Sequence, residues 1–590
     1  MLFPDQLRSS RLLDLGGKGN LTPGQLESML ALARRPLDRA FERRATALSD
    51  LAALGKDVAK AVAVGRDGRS RGPRVLVVSL RGWSVHNAYE LAIAHALRLR
   101  GAEVALLTCG GGMPACELGW ARRAHPRPCD RCAWLTDRVV GTAGLEHRRL
   151  GQRLPWGSDS RAAPIGTADS GAATDARNRE ASRVSSCWLL KTTRPELVRD
   201  GEHLVADFAT AAAGVETAAA DVLDELRPEI VFMFNGTFAA ERVIRGVAIE
   251  RGIRAPTYEM AQRAGALVLS QDFPACECRL DGLWQRVRKH PLSERQRQET
   301  VGLLRNRAEG VDTHESSYSR MRYDNDPAQL RRQLGLDERK RLVSLYPNVI
   351  WDSAAVGHDV AFASIFDWIE QAVRLAGEGE LARELDLVIR THPAEQRWGT
   401  RESVQETLAS RVGELPPNVR LIRAEEPLSS YTLMETSDLV LTYTTTVGLE
   451  AAARGKRVVV AGDTHYRGRG FTYDLDRREQ LSGVLARPPS PPSSEETELA
   501  LRYAHMFFFR MMIPFPGLQT HGDRVIRAPR RAAELQPGTD PYLDWICARI
   551  LDGDEFGLPD ELARDAQADS LPPTSPSPAV TNGGDLACAS

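Results

Sequence analysis

The chain has 590 residues, more than one hydrophobic core usually organises, so two domains with appendages are expected. Its net charge of -1 excludes a global field that would draw it to nucleic acid or to an anionic membrane, so any polyanion site is local. With 42% hydrophobic and 26% charged residues it also falls outside the disordered and fibrous classes.

The first fifteen residues carry charge from Asp5 and Arg8 onward and lack the apolar core of a signal peptide. No stretch approaches the roughly 20 apolar residues of a spanning helix. Nine cysteines in such a chain read as reduced thiols, so a cytoplasmic protein is expected, with peripheral contact at the inner face of the membrane as the other option.

Residues 1–72 are charged and read as a helical N-terminal extension. A first domain is expected over 73–284. The run RVLVVSL at 74–80 predicts a buried parallel strand, 87–100 a helix, and EVALLTC at 103–109 a second strand, which together make a βαβ unit. Residues 157–185, rich in Ala, Ser, Gly, Thr and Asp, read as a mobile insertion. A helix over 203–226, a strand at 230–234 (IVFMF), a helix over 239–251 and an extended piece at 255–258 complete the domain.

A charged helical connector is expected at 285–337, then a second domain at 338–487. Its predicted strands lie at 342–346, 387–391, 419–422, 439–442 and 458–461, with helices at about 360–376, 402–412, 429–436 and 447–454. Five strands alternating with helices predict a doubly wound parallel sheet. The stretch PPSPPSS at 488–494 is a linker, and 495–560 are helices packing back, with 506–515 a buried one. Residues 561–590, rich in Pro, Ser and Ala, form a disordered tail. The fold class is therefore α/β, with two Rossmann-like doubly wound domains facing a cleft.

Open parallel sheets bind ligands beyond the carboxyl ends of their strands. In the second domain those loops offer Asn348, Asp352 and Ser353; then Arg390 and His392; then Thr444, Thr445, Thr446, Gly448 and Glu450; then His465, Tyr466, Arg467 and Arg469. The threonine run opens a helix directly after a strand, where free N–H groups suit a phosphate, and Gly448 would let the backbone approach. Glu450 is placed to accept hydrogen bonds from a ribose. A turn that caps a helix, or a basic surface loop, accounts for the same residues structurally.

In the first domain His86, Asn235 and Gly236 occupy the equivalent positions on the acceptor side. His86, His392 and His465 are the acid–base candidates. Cys109, Cys116, Cys129 and Cys132, spaced C-x6-C-x12-C-x2-C, can form a tetrahedral structural zinc knot or stand as unligated thiols; no cofactor is expected for catalysis.

The runs LVIRTHPAE at 387–395, NVRLI at 418–422, SSY at 429–431, SDLVLTYTTTVGLE at 437–450 and HYRGRGFT at 465–472 resemble the bacterial capsule polysaccharide biosynthesis proteins. These are GT-B type glycosyltransferase relatives, loosely akin to capsule Kdo transferases. The resemblance is dense over about 345–475, weaker over 74–135 and 230–272, and absent from 136–228 and beyond 520. It implies a cytoplasmic transferase that takes a nucleotide-sugar donor in the second domain and a glycan or lipid-linked glycan acceptor facing the first. Capsule assembly proteins would be its partners and nucleic acid would not. The motifs of the capsule Kdo transferases do not carry over cleanly. A nucleotide-sugar 2-epimerase on the same fold, a non-catalytic nucleotide-sugar-binding component, and a glycerol-phosphate transferase are the competing readings.

Overall fold

The computed structural model describes residues 50, 54–63, 72–121, 129, 132–133, 136, 144–165, 176–310, 326–521 and 524–565. Most of the expected N-terminal extension, residues 166–175 of the expected insertion, 311–325 of the connector and the tail beyond 565 lie outside these described residues.

The first sheet grows from β1 (Arg74–Val78), whose β-branched run is buried on both faces. Helix α1 (Ser84–Leu99) crosses to β2 (Glu103–Thr108), and β3 (Glu146–Arg149) lies outside β2. On the other side of β1 stand β4 (Ile230–Phe234), β5 (Thr257–Met260) and β6 (Ala266–Ser270). Val75 pairs with both Val104 and Ile230, so β1 is central and parallel to both neighbours. Helices α2 (Ala176–Leu190), α3 (Gly201–Leu226) and α4 (Ala239–Glu250) pack together against this sheet.

Helix α5 (Glu294–Ala308), started by a capping box between Ser293 and Gln296, leads into the second domain. Its sheet has the order β9–β8–β7–β10–β11–β12, from β7 (Arg341–Tyr346), β8 (Leu385–Arg390), β9 (Val419–Ile422), β10 (Leu439–Thr442), β11 (Val458–Val460) and β12 (Tyr473–Asp474). All its pairings are parallel, and the order reverses at β7, which pairs with both β8 and β10. Helices α6 (Ile365–Ala376), α7 (Val404–Arg411), α8 (Ser430–Thr436) and α9 (Val447–Ala453) connect the strands.

The chain then returns to the first domain. Helix α10 (Ser494–His505) packs on α9, a π-helical turn follows at Met506–Met511, and β13 (Met512–Pro514) adds an antiparallel strand to β6. Helix α11 (Pro541–Asp552) lies on α1, where Asp544 pairs with Arg100.

Three elements differ from the sequence reading. Residues 506–515 are a helical turn followed by a strand, not one helix; Pro514 is tolerated because β13 is the outer strand of its sheet. Residues 176–185 begin α2, whose small residues Ala181, Ser182 and Ser185 are buried, so low hydrophobicity here reflects close helix packing. The extended piece at 255–258 is the first strand of a hairpin, β5–β6.

Candidate active site

The carboxyl edges of the parallel strands in the two sheets carry the polar loops. On the second domain, the Asn348 amide donates to Thr444 Oγ1 at 3.1 Å, which joins the loop after β7 to the loop after β10. Thr444 and Thr446 are partly exposed, while Thr445 is buried. Gly448 is needed for a different reason from a ligand's approach. A Cβ there would collide with the Tyr466 phenol and stand 2.9 Å from Thr442 Oγ1. Tyr466, fully buried, donates to the Thr445 carbonyl at 2.7 Å and so shapes the threonine loop from behind.

Several sequence candidates have structural partners instead of an open face. Glu450 is only 1% exposed and accepts from the Arg307 guanidinium at 3.1 Å, so a ribose reaches it only if α5 shifts. Arg390 is buried and donates to the carbonyls of Arg423 and Glu426. Arg467 holds Leu475 O and Asp476, both at 2.7 Å, and Arg469 holds Asp281 at 2.6 Å. These guanidiniums saturate loop carbonyls and local carboxylates, which is why a basic, glycine-flanked loop need not be an anion site.

Two of the three histidines are unsuited to carrying a proton. His465 is stacked on Phe507 with ring centroids 4.2 Å apart, and its Nδ1 lies 3.2 Å from the Tyr503 hydroxyl. Burial, helped by Arg469, pushes its pKa down to about 3. In His392 the Nδ1 accepts from the Ala394 N–H at 3.1 Å, which leaves the proton of the neutral ring on Nε2. Burial and the neighbouring Arg390 hold its pKa at about 4. His392 can donate a hydrogen bond near neutrality but cannot act there as a general acid.

On the first domain, His86 packs on Phe234 at 4.1 Å and faces Trp83 at 5.5 Å. Its Nδ1 lies 3.4 Å from the Tyr258 hydroxyl, which donates to Glu90 at 2.9 Å. Glu90 also accepts from Ser79, and its burial raises its pKa to about 8.

Asn235 adopts a left-handed φ of 56° and donates to Glu259 at 2.8 Å, while Gly236 beside it has φ 83°. Gly236 is held in that conformation by the turn, and the Asn235 side chain serves to orient Glu259. Sequence reasoning missed Glu259. Burial, with Asp352 adding like charge, raises its pKa to about 7. Asp352 itself is a half-buried carboxylate raised by desolvation, bonded to the Ala354 N–H at 2.9 Å and to Ser353. A carboxyl from each domain thus acts on the other's side of the join, Asp352 as a minor electrostatic influence on Glu259.

Lys191 was also missed. Its ammonium sits 3.7 Å from the Trp188 ring centroid and 4.0 Å from that of Trp351, with Trp398 at 5.4 Å. The first ring belongs to α2 and the other two to the second domain. Burial lowers the Lys191 pKa to about 8 against the opposing pull of Asp352. Beside it, Glu402 of the second domain accepts from Thr192 Oγ1, Thr193 N, Thr193 Oγ1 and Arg194 Nε at 2.6–2.9 Å. Elsewhere along the join, Thr446 donates to Gln262 at 2.9 Å and Arg307 to the Gln262 carbonyl. The cleft is thus held from both domains. No single motif could signal residues so far apart in sequence.

The four cysteines line one cavity, together with Leu80, Arg81, Gly110, Gly111, Met113, Leu118 and Ala133. Among the described residues, no three His, Cys, Asp or Glu side chains converge as ligands of one ion. No helix among the described residues is long and apolar enough to cross a membrane.

The second domain has a match among known protein families. Residues 300–491 match the family described as Capsule polysaccharide biosynthesis protein. The match takes in β7 to β12 and the polar loops between them, about a third of the chain. No curated protein matches the sequence. Among solved structures, similarity is found to KpsC, a β-Kdo 2,4 transferase of Thermosulfurimonas dismutans, at 16% identity and TM-score 0.31, over 46% of this chain and 78% of that one. The UDP-GlcNAc 2-epimerase of Neisseria meningitidis is similar at 12% identity and TM-score 0.23, over 73% of this chain and 95% of that one. The glycosyltransferase SnogD of Streptomyces nogalater is similar at 15% identity and TM-score 0.23, over 74% and 94%.

Proposed function

We propose that the protein is a glycosyltransferase that moves a sugar from a nucleotide-activated donor to a capsular or other surface polysaccharide. The family match over the second domain supports the polysaccharide context. The observation that carries the catalytic reading is Glu259. It is a carboxyl at the first sheet's carboxyl edge, oriented by Asn235 and poised at about 7 beside Asp352 of the other domain. A half-buried carboxyl near neutrality, at the join of two α/β domains, suits proton transfer in a cleft.

In this reading Asn348 and Thr444 donate hydrogen bonds to the donor's phosphates, and His392 donates from Nε2. The acceptor hydroxyl lies against the first domain. Glu259 takes its proton as the new glycosidic bond forms, and the nucleotide leaves with the bonding electrons. His86, held by Tyr258 and Glu90, positions the acceptor beside Trp83. Glu259→Gln tests the assignment. It should keep donor binding within about threefold while lowering kcat by roughly a hundredfold or more. Unchanged kcat in a folded variant would reject Glu259 as the base.

A further inference from the structure

The four cysteines come from three separate segments. Cys109 directly follows β2, Cys116 lies in a short hairpin strand (Ala115–Cys116), and Cys129 and Cys132 are three residues apart in helical backbone. Gly110, Gly111 and Gly112 take φ values of 68°, 92° and 94°, which folds the chain between the first two cysteines back over the cavity. All four side chains then line that one cavity at the carboxyl edge of the first sheet. Interiors are close-packed, and a cavity walled by four thiols is an unusual way to fill a core. Thiolates are the ligands of zinc and of iron–sulfur clusters.

The Gly82 N–H points at Cys132 Sγ at 3.1 Å, whereas the Arg81 guanidinium beside Cys116 is already paired with Glu117 and Glu241. The cavity does not overlap Glu259, Asp352 or the threonine loop. It sits behind the loop from β1 to α1, which carries Trp83 and leads into the first turn of α1 with His86.

We propose that Cys109, Cys116, Cys129 and Cys132 ligate a metal centre through their thiolates, either one zinc ion or one iron–sulfur cluster, that fastens the β1–α1 loop. Ligation releases the thiol protons, and no electron transfer is involved. No three of these side chains already meet at one ion's ligand sphere, so ligation requires the segments that carry them to shift. The centre is structural. Through Gly82 it fixes the wall on which an acceptor would rest.

The test is metal analysis of the full chain purified both in air and without oxygen, with acid-labile sulfide measured alongside. About one zinc per chain, or iron with matching sulfide, is expected, and the X-ray absorption of that metal should show sulfur neighbours at about 2.3 Å. Cys132→Ser and Cys109→Ser should each lower the metal content at least fivefold, whereas Cys278→Ser should leave it intact. If a serine variant fails to fold, the absorption spectrum of the unaltered protein decides. Chains free of both metals in both preparations, or a metal lacking sulfur ligands, would overturn the proposal.

Discussion

At the scale of single residues, burial decides which polar groups can react. Glu259 is held near 7 because its carboxylate loses water in the join and faces Asp352. If it is the base, kcat/KM should rise as pH passes through about 7, and Glu259→Gln should abolish that limb of the profile. An unchanged limb would assign the titration to another group. Glu450 gives the contrasting case. Its carboxylate serves Arg307, itself only 10% exposed at the side chain, so Glu450→Gln should cost about 1–3 kcal/mol of stability. A shift in the urea midpoint checks this; donor affinity lost with stability intact would return Glu450 to the ribose. The sequence placed Glu450 correctly after the threonines, yet its partner lies on α5, 143 residues earlier, and no local pattern reports that. Glu259 was overlooked for the opposite reason. A lone acidic residue in TYEM has no motif, and only the turn at Asn235 gives it a role.

At the scale of elements, the alternation of apolar strands and helices was legible because parallel strands buried on both faces read as continuous apolar runs. β4, β9 and β10 lie where the sequence predicts them, at Ile230–Phe234, Val419–Ile422 and Leu439–Thr442. The return of the chain through β13 was not legible, since Met512–Pro514 is too short and too continuous with α10 to announce a strand. Nor was the clasp between the loop after α2 and the loop before α7. There Glu402 takes four donors from residues 192–194, and Lys191 enters a cage of tryptophans. Charged hydrogen bonds of this kind contribute about 1.5–3 kcal/mol, and a caged cation up to about 2. Glu402→Ala should therefore favour an open arrangement by roughly ten- to a hundredfold. Small-angle scattering should record a larger radius of gyration, with KM rising more than kcat falls. Identical scattering curves would show that the clasp does not set the domain angle.

At the scale of the whole molecule, two sets of buried and half-buried groups oppose each other in pH. His392, His465 and His505 have folded values of about 4, 3 and 4, below the ordinary 6.5. Their contribution is present above 6.5 and is lost as pH falls, at about 1.4 kcal/mol per unit for each histidine. Glu90, Glu259 and Glu395 are raised to about 8, 7 and 7. Their contribution is present below 4.5 and is lost as pH rises through 7 to 8. The slopes cancel between about 4.5 and 6.5, so the thermal stability these groups supply should be greatest there and decline as pH rises to about 8. Glu90→Gln should reduce that decline. A melting temperature that climbs steadily from pH 6 to 8 would contradict this balance.

The central claim is that the cleft transfers a sugar from a nucleotide-activated donor to an acceptor. Its most direct test is release of nucleotide by the full chain from a panel of nucleotide sugars, with and without surface glycan acceptors. The account predicts turnover of at least one donor that depends on acceptor and falls roughly a hundredfold or more in Glu259→Gln. Conversion of a nucleotide sugar without any acceptor, or no binding of any donor by the folded protein, would contradict it.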